Sequence, residues 1–217
     1  ILGWLGLSGT IAGTPVFFQR LRHATGHPAS DTLKSQPLYN GSHALPLIRP
    51  SRDEDIPAIT AIYRHHVLTG TGTFEIDPPA EADMASRRTD VLSKGLPYLV
   101  VEDEGRVMGF AYCNWFKLRP AYRFSAEDSI YMASDAHRKG MGRALLTELC
   151  TQAERAGVRK FLAVIGDSAN AGSIGVHTAL GFNHVGVLKS CGWKFDRWLD
   201  VVMMEKPLGA GDSTAPQ

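Results

Sequence analysis

The stretch Ser125–Leu146, SAEDSIYMASDAHRKGMGRALL, decides how the rest of this chain is read. It opens with an alternating run from Glu127 to Met132, breaks at the turn-forming pair Ser134-Asp135, and continues through His-Arg-Lys-Gly-Met-Gly-Arg into an apolar helical run. The pattern predicts a strand that feeds a helix through a short basic loop holding Gly140 and Gly142. Glycines let the backbone come close to a bound group, and the helix start behind them offers unpaired N–H donors and the positive end of a dipole. Such a loop suits a diphosphate; taken alone, it also suits a glycine turn that merely caps a surface helix.

Two common diphosphate loops do not fit. There is no G-x-x-x-x-G-K-[ST], and G-x-G-x-x-G fails because Leu145 follows Gly142 by three. A Ser nucleophile on a G-x-S-x-G elbow is likewise absent from the sequence.

Working outward, the 217 residues suit one domain of ordinary size with some extra chain, and 44% hydrophobic content supports a substantial core. A net charge of +1 gives no reason to expect nucleic acid or an anionic membrane as partner, so anion binding must come from local clusters such as 137–143. Cys113, Cys150 and Cys191 are far apart without C-x-x-C or a paired His spacing, so neither a metal site nor a disulfide framework is expected. Reduced thiols in the cytoplasm follow. The chain begins with Ile, which admits a fragment or an upstream extension. Its first 18 residues are uncharged but broken by Gly, Ser, Thr and Pro, so a membrane span is not expected.

Residues 1–46 read as a flexible N-terminal extension, 47–207 as the folded domain and 208–217 as a flexible tail. A strand at Leu47 precedes a Ser51-x-x-Glu54 capping box and a helix with Ile56, Ile59, Ile62, Tyr63, His66 and Val67 at helical spacing. The segment 68–79, with Phe74, reads either as a loop over a site or as a connector plugged by its one aromatic. A second helix over 80–94 leads to a hairpin around Asp103-Glu104-Gly105-Arg106. Lys117, Arg119 and Tyr122 then gather in one irregular segment, suited to an acidic small molecule or simply to solvent. After the Gly140 helix come a strand at 160–165 and a helix opened by Asn170, whose Ser173 and His177 share a face with it. A hydrogen-bonded structural histidine and a functional one both fit that stripe. Strands over 183–189 and 197–205 flank CGWKFDRW, an expected basic and aromatic turn.

The spacing around Gly140 and Gly142 is close to Q/R-x-x-G-x-G/A, and the chain resembles the GNAT superfamily of acyl-CoA-dependent N-acetyltransferases. Within it the chain is similar to the phosphinothricin and methionine sulfone/sulfoximine acetyltransferases. The resemblance covers Ile48 to about Lys206 and rests on TGTFE at 71–75, FKLRPAY at 116–122, AEDSIYM, the phosphate loop, AVIGDSANAGSIGVHTALGF at 163–182 and GWKFDRWLD at 192–200. His137 stands where the motif has Gln or Arg, and Gly175 where relatives often carry Arg.

The resemblance implies an α/β fold, a central mixed β-sheet flanked by about four helices, with acetyl-CoA as co-substrate, no metal, a small amino-acid-like acceptor and a homodimer. It places the cofactor on His137, Arg138, Lys139, Gly140, Met141, Gly142 and Arg143, on Asn170 and Ser173, and on the backbone of Ile130, Tyr131 and Met132, whose N–H groups would polarise the thioester carbonyl. Glu127 maps to the general base. His177 is assigned to the reacting end, either orienting the amine or protonating the departing thiolate. Phe74, Lys117, Arg119 and Tyr122 are the implied acceptor contacts.

Overall fold

Seven strands hydrogen-bond into one sheet in the computed structural model, which describes residues 46–136 and 140–216. The expected extension before Pro46, and His137, Arg138 and Lys139 of the phosphate loop, lie outside the described residues. Along the chain run β1 (Leu47–Pro50), α1 (Ile56–Thr69), α2 (Glu81–Ser93), β2 (Tyr98–Asp103), β3 (Arg106–Trp115), β4 (Ser125–Met132), α3 (Met141–Arg155), β5 (Lys160–Gly166), α4 (Ala171–Ala179), β6 (Asn183–Lys194) and β7 (Arg197–Pro207). The strand order is β1-β2-β3-β4-β5-β7-β6, and only the β4–β5 pair is parallel. That pair needs a crossover, which α3 provides.

Cross-strand partners share a face of a pleated sheet, so the pairing sorts the side chains. Phe110, Tyr112 and Asn114 of β3 pair with Tyr131, Ser129 and Glu127 of β4 and face α1 and α2. There Phe110 stacks on Tyr131 at 5.2 Å and meets Tyr63 of α1 edge-on. Ala126 and Asp128 point the other way, toward α3 and α4, where Leu145, Leu146 and Leu149 are buried. Helical spacing in α1 and α3 thus delivers one apolar stripe to each face.

Several local expectations are corrected. Ser51 and Glu54 form no capping box: the helix opens through a 3₁₀ turn at Asp53–Asp55, and Asp55 accepts a hydrogen bond from the Arg52 N–H at 2.7 Å. Ser51 is still tied to the sheet, its N–H on Tyr98 O, and its hydroxyl accepts from buried Arg88. The predicted turn at 191–198 is mostly strand. Only Phe195 and Asp196 turn, with φ of 52° and 54°, as a two-residue hairpin with both central residues left-handed demands. A bulge between Leu188 and Gly192 carries Ser190, whose N–H donates to Asp200. The tail begins firmly: Leu208 is buried, its N–H donates to Arg159 O, and Arg159 reaches Thr214. No helix among the described residues is long and apolar enough to cross a membrane.

Candidate active site

The parallel pairing of β4 with β5 stops at Asp128–Ala163, while β3 stays paired to β4 as far as Met132. Beyond that point the two strands part. Ser129–Met132, no longer paired with β5, border a cleft of about 860 Å³, a size suited to a cofactor. Ile130, Tyr131 and Met132 line one wall, Val164, Asn170, Ser173 and Val176 the other, and Gly70, Thr71 and Gly72 close one end. His66 Nε2 lies 2.8 Å from Met132 O and fixes the end of β4.

Gly140 and Gly142 sit in this cleft with Arg143. Gly140 has φ of 77°, a left-handed conformation glycine takes without a Cβ penalty, and it caps α3 without any side chain in the way. The first-turn N–H groups of α3 have no intrahelical acceptor, so they and the dipole favour an anion there. Met141, an expected cofactor contact, is instead buried in the core and does not line the cleft. At the facing helix, Asn170 accepts from the Ser173 N–H at 3.2 Å and so satisfies the N-terminus of α4 itself.

Glu127 lies one residue before the last paired position, half-buried, on the α1/α2 face. Burial chiefly, and then the charge of Asp128, raise its carboxyl pKa above the ordinary 4.5, against a lowering pull from Lys117. A carboxyl poised upward is what a proton acceptor near neutrality needs. Around it on that face stands a polar layer that sequence reasoning did not assemble. Tyr63 Oη donates to Glu75 at 2.9 Å, and Arg87 holds Glu75 at 2.6 Å. Burial above all, and further the charges of Glu127 and Glu75, push the Tyr112 phenol up, so both carboxylates act on one side chain. TFE was legible as a motif, but its partner Arg87 is set by helix packing.

His177 is buried, with Nε2 2.9 Å from Asp128 Oδ2 and Nδ1 2.7 Å from Ser173 O. Both ring nitrogens therefore face acceptors, which favours the imidazolium. Burial opposes that charge, yet the hydrogen bonds and the charge of Asp128 outweigh it and the net pKa is raised. The structure brings His177 to the cleft floor but engages both nitrogens. Its partner Asp128, unmarked in the sequence, keeps Oδ1 buried without a hydrogen-bond partner.

Glu127 and the remaining expected contacts lie outside the cleft lining. Phe74 is wedged so tightly that a Cβ on Gly192 would come 2.3 Å from its ring and one on Gly166 2.9 Å. Arg119 and Tyr122 are exposed, with Tyr122 edge-on to Phe116 and Lys117 over the Phe116 ring. Of these, Lys117 is near enough to Glu127 to act on it. No cluster of His, Cys, Asp or Glu among the described residues could hold a metal ion.

Residues 48–203 match the acetyltransferase (GNAT) domain family. The chain is 46% identical to a phosphinothricin N-acetyltransferase of Alcaligenes faecalis, over 89% of this chain and 98% of the relative. It is 38% identical to an L-methionine sulfoximine/L-methionine sulfone acetyltransferase of Pseudomonas aeruginosa, over 73% of this chain and 92% of the relative. Among solved structures, a GNAT superfamily phosphinothricin acetyltransferase from Sinorhizobium meliloti in complex with acetyl-CoA superposes with a TM-score of 0.77 at 45% identity, covering 79% of this chain and 93% of that one.

Proposed function

The chain belongs to the GNAT acetyltransferase family, and from that premise we propose that it moves the acetyl group of acetyl-CoA directly onto the α-amino group of a small amino acid such as phosphinothricin or methionine sulfone/sulfoximine. The observation that carries the reading is the parting of β4 from β5 after Asp128, which opens a cleft lined by Asp128–Met132, directly after Glu127 in the strand. Acetyl-CoA is the co-substrate. Its diphosphate fits the start of α3, and its pantetheine arm fits the unpaired edges of the two strands.

Amino-acid amines are mostly protonated near neutral pH, so a proton must leave before attack. Glu127 takes it, directly or through one water. The amine nitrogen then bonds to the thioester carbonyl carbon, and the carbonyl oxygen gathers charge against the N–H groups of Ile130–Met132. Collapse breaks the C–S bond and releases CoA thiolate, and the second amine proton leaves the nitrogen for that thiolate, directly or by relay, to give the amide and free CoA thiol. Two roles remain for His177 on this scheme: as an imidazolium it sets the electrostatics of the cleft floor, or it supplies the proton to the thiolate. Lys117, Arg119 and Tyr122 offer cations and a phenol for the acceptor's carboxylate or phosphinate. Acetyl-CoA as co-substrate and the free thiols Cys113, Cys150 and Cys191 fit a cytoplasmic setting.

Two substitutions test this together. Glu127→Gln keeps size and hydrogen bonding but cannot take a proton, so kcat falls by roughly 10² to 10⁴ while acetyl-CoA Kd stays near wild type. Arg119→Ala raises the acceptor KM with little change in kcat. Near-wild-type turnover in Glu127→Gln at pH 7 removes Glu127 from the role.

A further inference from the structure

Lys194 is a charged residue that the reaction scheme does not use, and it is almost wholly buried, at 3% exposure. It stands on β6 beside the hairpin turn, yet its ammonium donates to Gly70 O and to Thr73 O, both at 2.9 Å, more than a hundred residues earlier in the chain. The Phe195 ring lies 5.0 Å from the same nitrogen. Burial lowers the Lys194 pKa, against a raising pull from Glu75. A buried cation costs stability unless it is hydrogen-bonded, and here the whole compensation comes from one loop and one ring.

That loop, 70–75, joins the cleft to the polar layer near Glu127. Gly70, Thr71 and Gly72 line the cleft, and Thr73 and Glu75 bond Tyr63. It is gripped from the sheet side at two further points. Phe74 fills the space above Gly166 and Gly192, and a Cβ on Gly166 would stand 2.1 Å from Thr71 O. On its far side Arg87 holds Glu75. Beyond Gly70, whose N–H closes the last turn of α1 on His66 O, the segment is neither helix nor strand.

We propose that Lys194 is a positioning residue for acceptor binding, in which its ammonium ties the β6–β7 hairpin to the 70–75 loop and holds that loop in the shape that receives the acceptor. The inference rests on the acetyltransferase reading above. Lys194 does not touch the reacting atoms; it acts through the carbonyls of Gly70 and Thr73. The hairpin tip thereby becomes part of the acceptor site, although its own aromatic side chains face solvent.

The test compares Lys194→Met, which keeps length and removes the charge, with Lys194→Arg, which keeps a cation with several donors. Steady-state kinetics with phosphinothricin and acetyl-CoA, acetyl-CoA Kd by calorimetry, and amide hydrogen exchange are read on the full chain. In Lys194→Met the acceptor KM rises about tenfold or more, a loss of about 1.4 kcal/mol in acceptor binding, with acetyl-CoA Kd little changed. Exchange quickens in 70–75 and stays at wild-type rates in β2–β4, and Lys194→Arg lies between Met and wild type. Gly192→Ala, which displaces Phe74 without touching Lys194, gives the same KM signature should the Met variant not fold. An unchanged acceptor KM, or unchanged exchange at 70–75, overturns the proposal. If the wild-type chain acetylates no acceptor, the functional reading has failed, whereas the exchange comparison still decides whether Lys194 holds the loop.

Discussion

At the scale of single residues the proposed chemistry falls to Glu127 and His177, whose environments shift both groups in ways that a pH experiment reads. Burial raises the Glu127 carboxyl, so the rate falls as pH drops through a value above 4.5, and Glu127→Gln loses that acidic limb. For His177 the folded pKa is raised above the ordinary 6.5. Its stabilisation is therefore fully present below about 6.5 and is lost as pH rises through the folded value. Urea unfolding of the wild type from pH 6 upward then shows falling stability, and Asp128→Asn flattens the slope. Asp128→Ala, which strands a buried imidazolium, costs roughly 3–5 kcal/mol at neutral pH. A slope unchanged by Asp128→Asn contradicts the imidazolium assignment. The sequence marked Glu127 through its place on a motif strand and His177 through a polar stripe. Asp128 went unseen because its partner is 49 positions away and strand alternation alone makes it a core position facing α4.

On the proposed reading, cofactor binding turns on the start of α3. Its glycines differ in kind. Gly140 needs its positive φ, so Gly140→Ala costs about 1–2 kcal/mol even without ligand. Gly142 does not, for a Cβ there would meet only Met132 at 3.6 Å, an ordinary contact. Gly142→Asp therefore keeps the unliganded melting temperature near wild type but sets a carboxylate against the diphosphate. In the wild type, acetyl-CoA at about 100 times Kd adds roughly 2.7 kcal/mol of stability, and the aspartate variant loses most of it. An unchanged acetyl-CoA Kd in that variant moves the diphosphate elsewhere. Elements with a local signature were legible: α3 from its apolar helical run behind Gly140 and Gly142, and the β2–β3 hairpin from Asp103-Glu104-Gly105-Arg106. Those decided by distant contacts were not. Ser51 reads as a cap but serves Arg88 of α2, and Phe195-Asp196 makes a left-handed turn without the glycine that usually announces one.

On the whole molecule, the edge strand β6 presents Val185, Leu188 and Trp193 to solvent, and Trp198, the cross-strand partner of Trp193 on β7, is 61% exposed beside them. An exposed apolar edge of this kind is covered in solution by a second copy, on the dimeric reading of the chain, and light scattering then gives twice the chain mass across micromolar concentrations. A monomer throughout that range contradicts it. The overall plan was readable because several stretches recur in order from Ile48 onward, whereas the tie from Lys194 to Gly70 and Thr73 spans the chain and leaves no local pattern. The most direct measurement of the central claim is thiol release from acetyl-CoA by the intact chain, run in parallel with phosphinothricin, methionine sulfone, methionine sulfoximine and the ordinary amino acids. The expected result is acceptor-dependent CoA release that is fastest with the first three and yields the N-acetylated amino acid. Release that is independent of acceptor, or none with any of them, contradicts it.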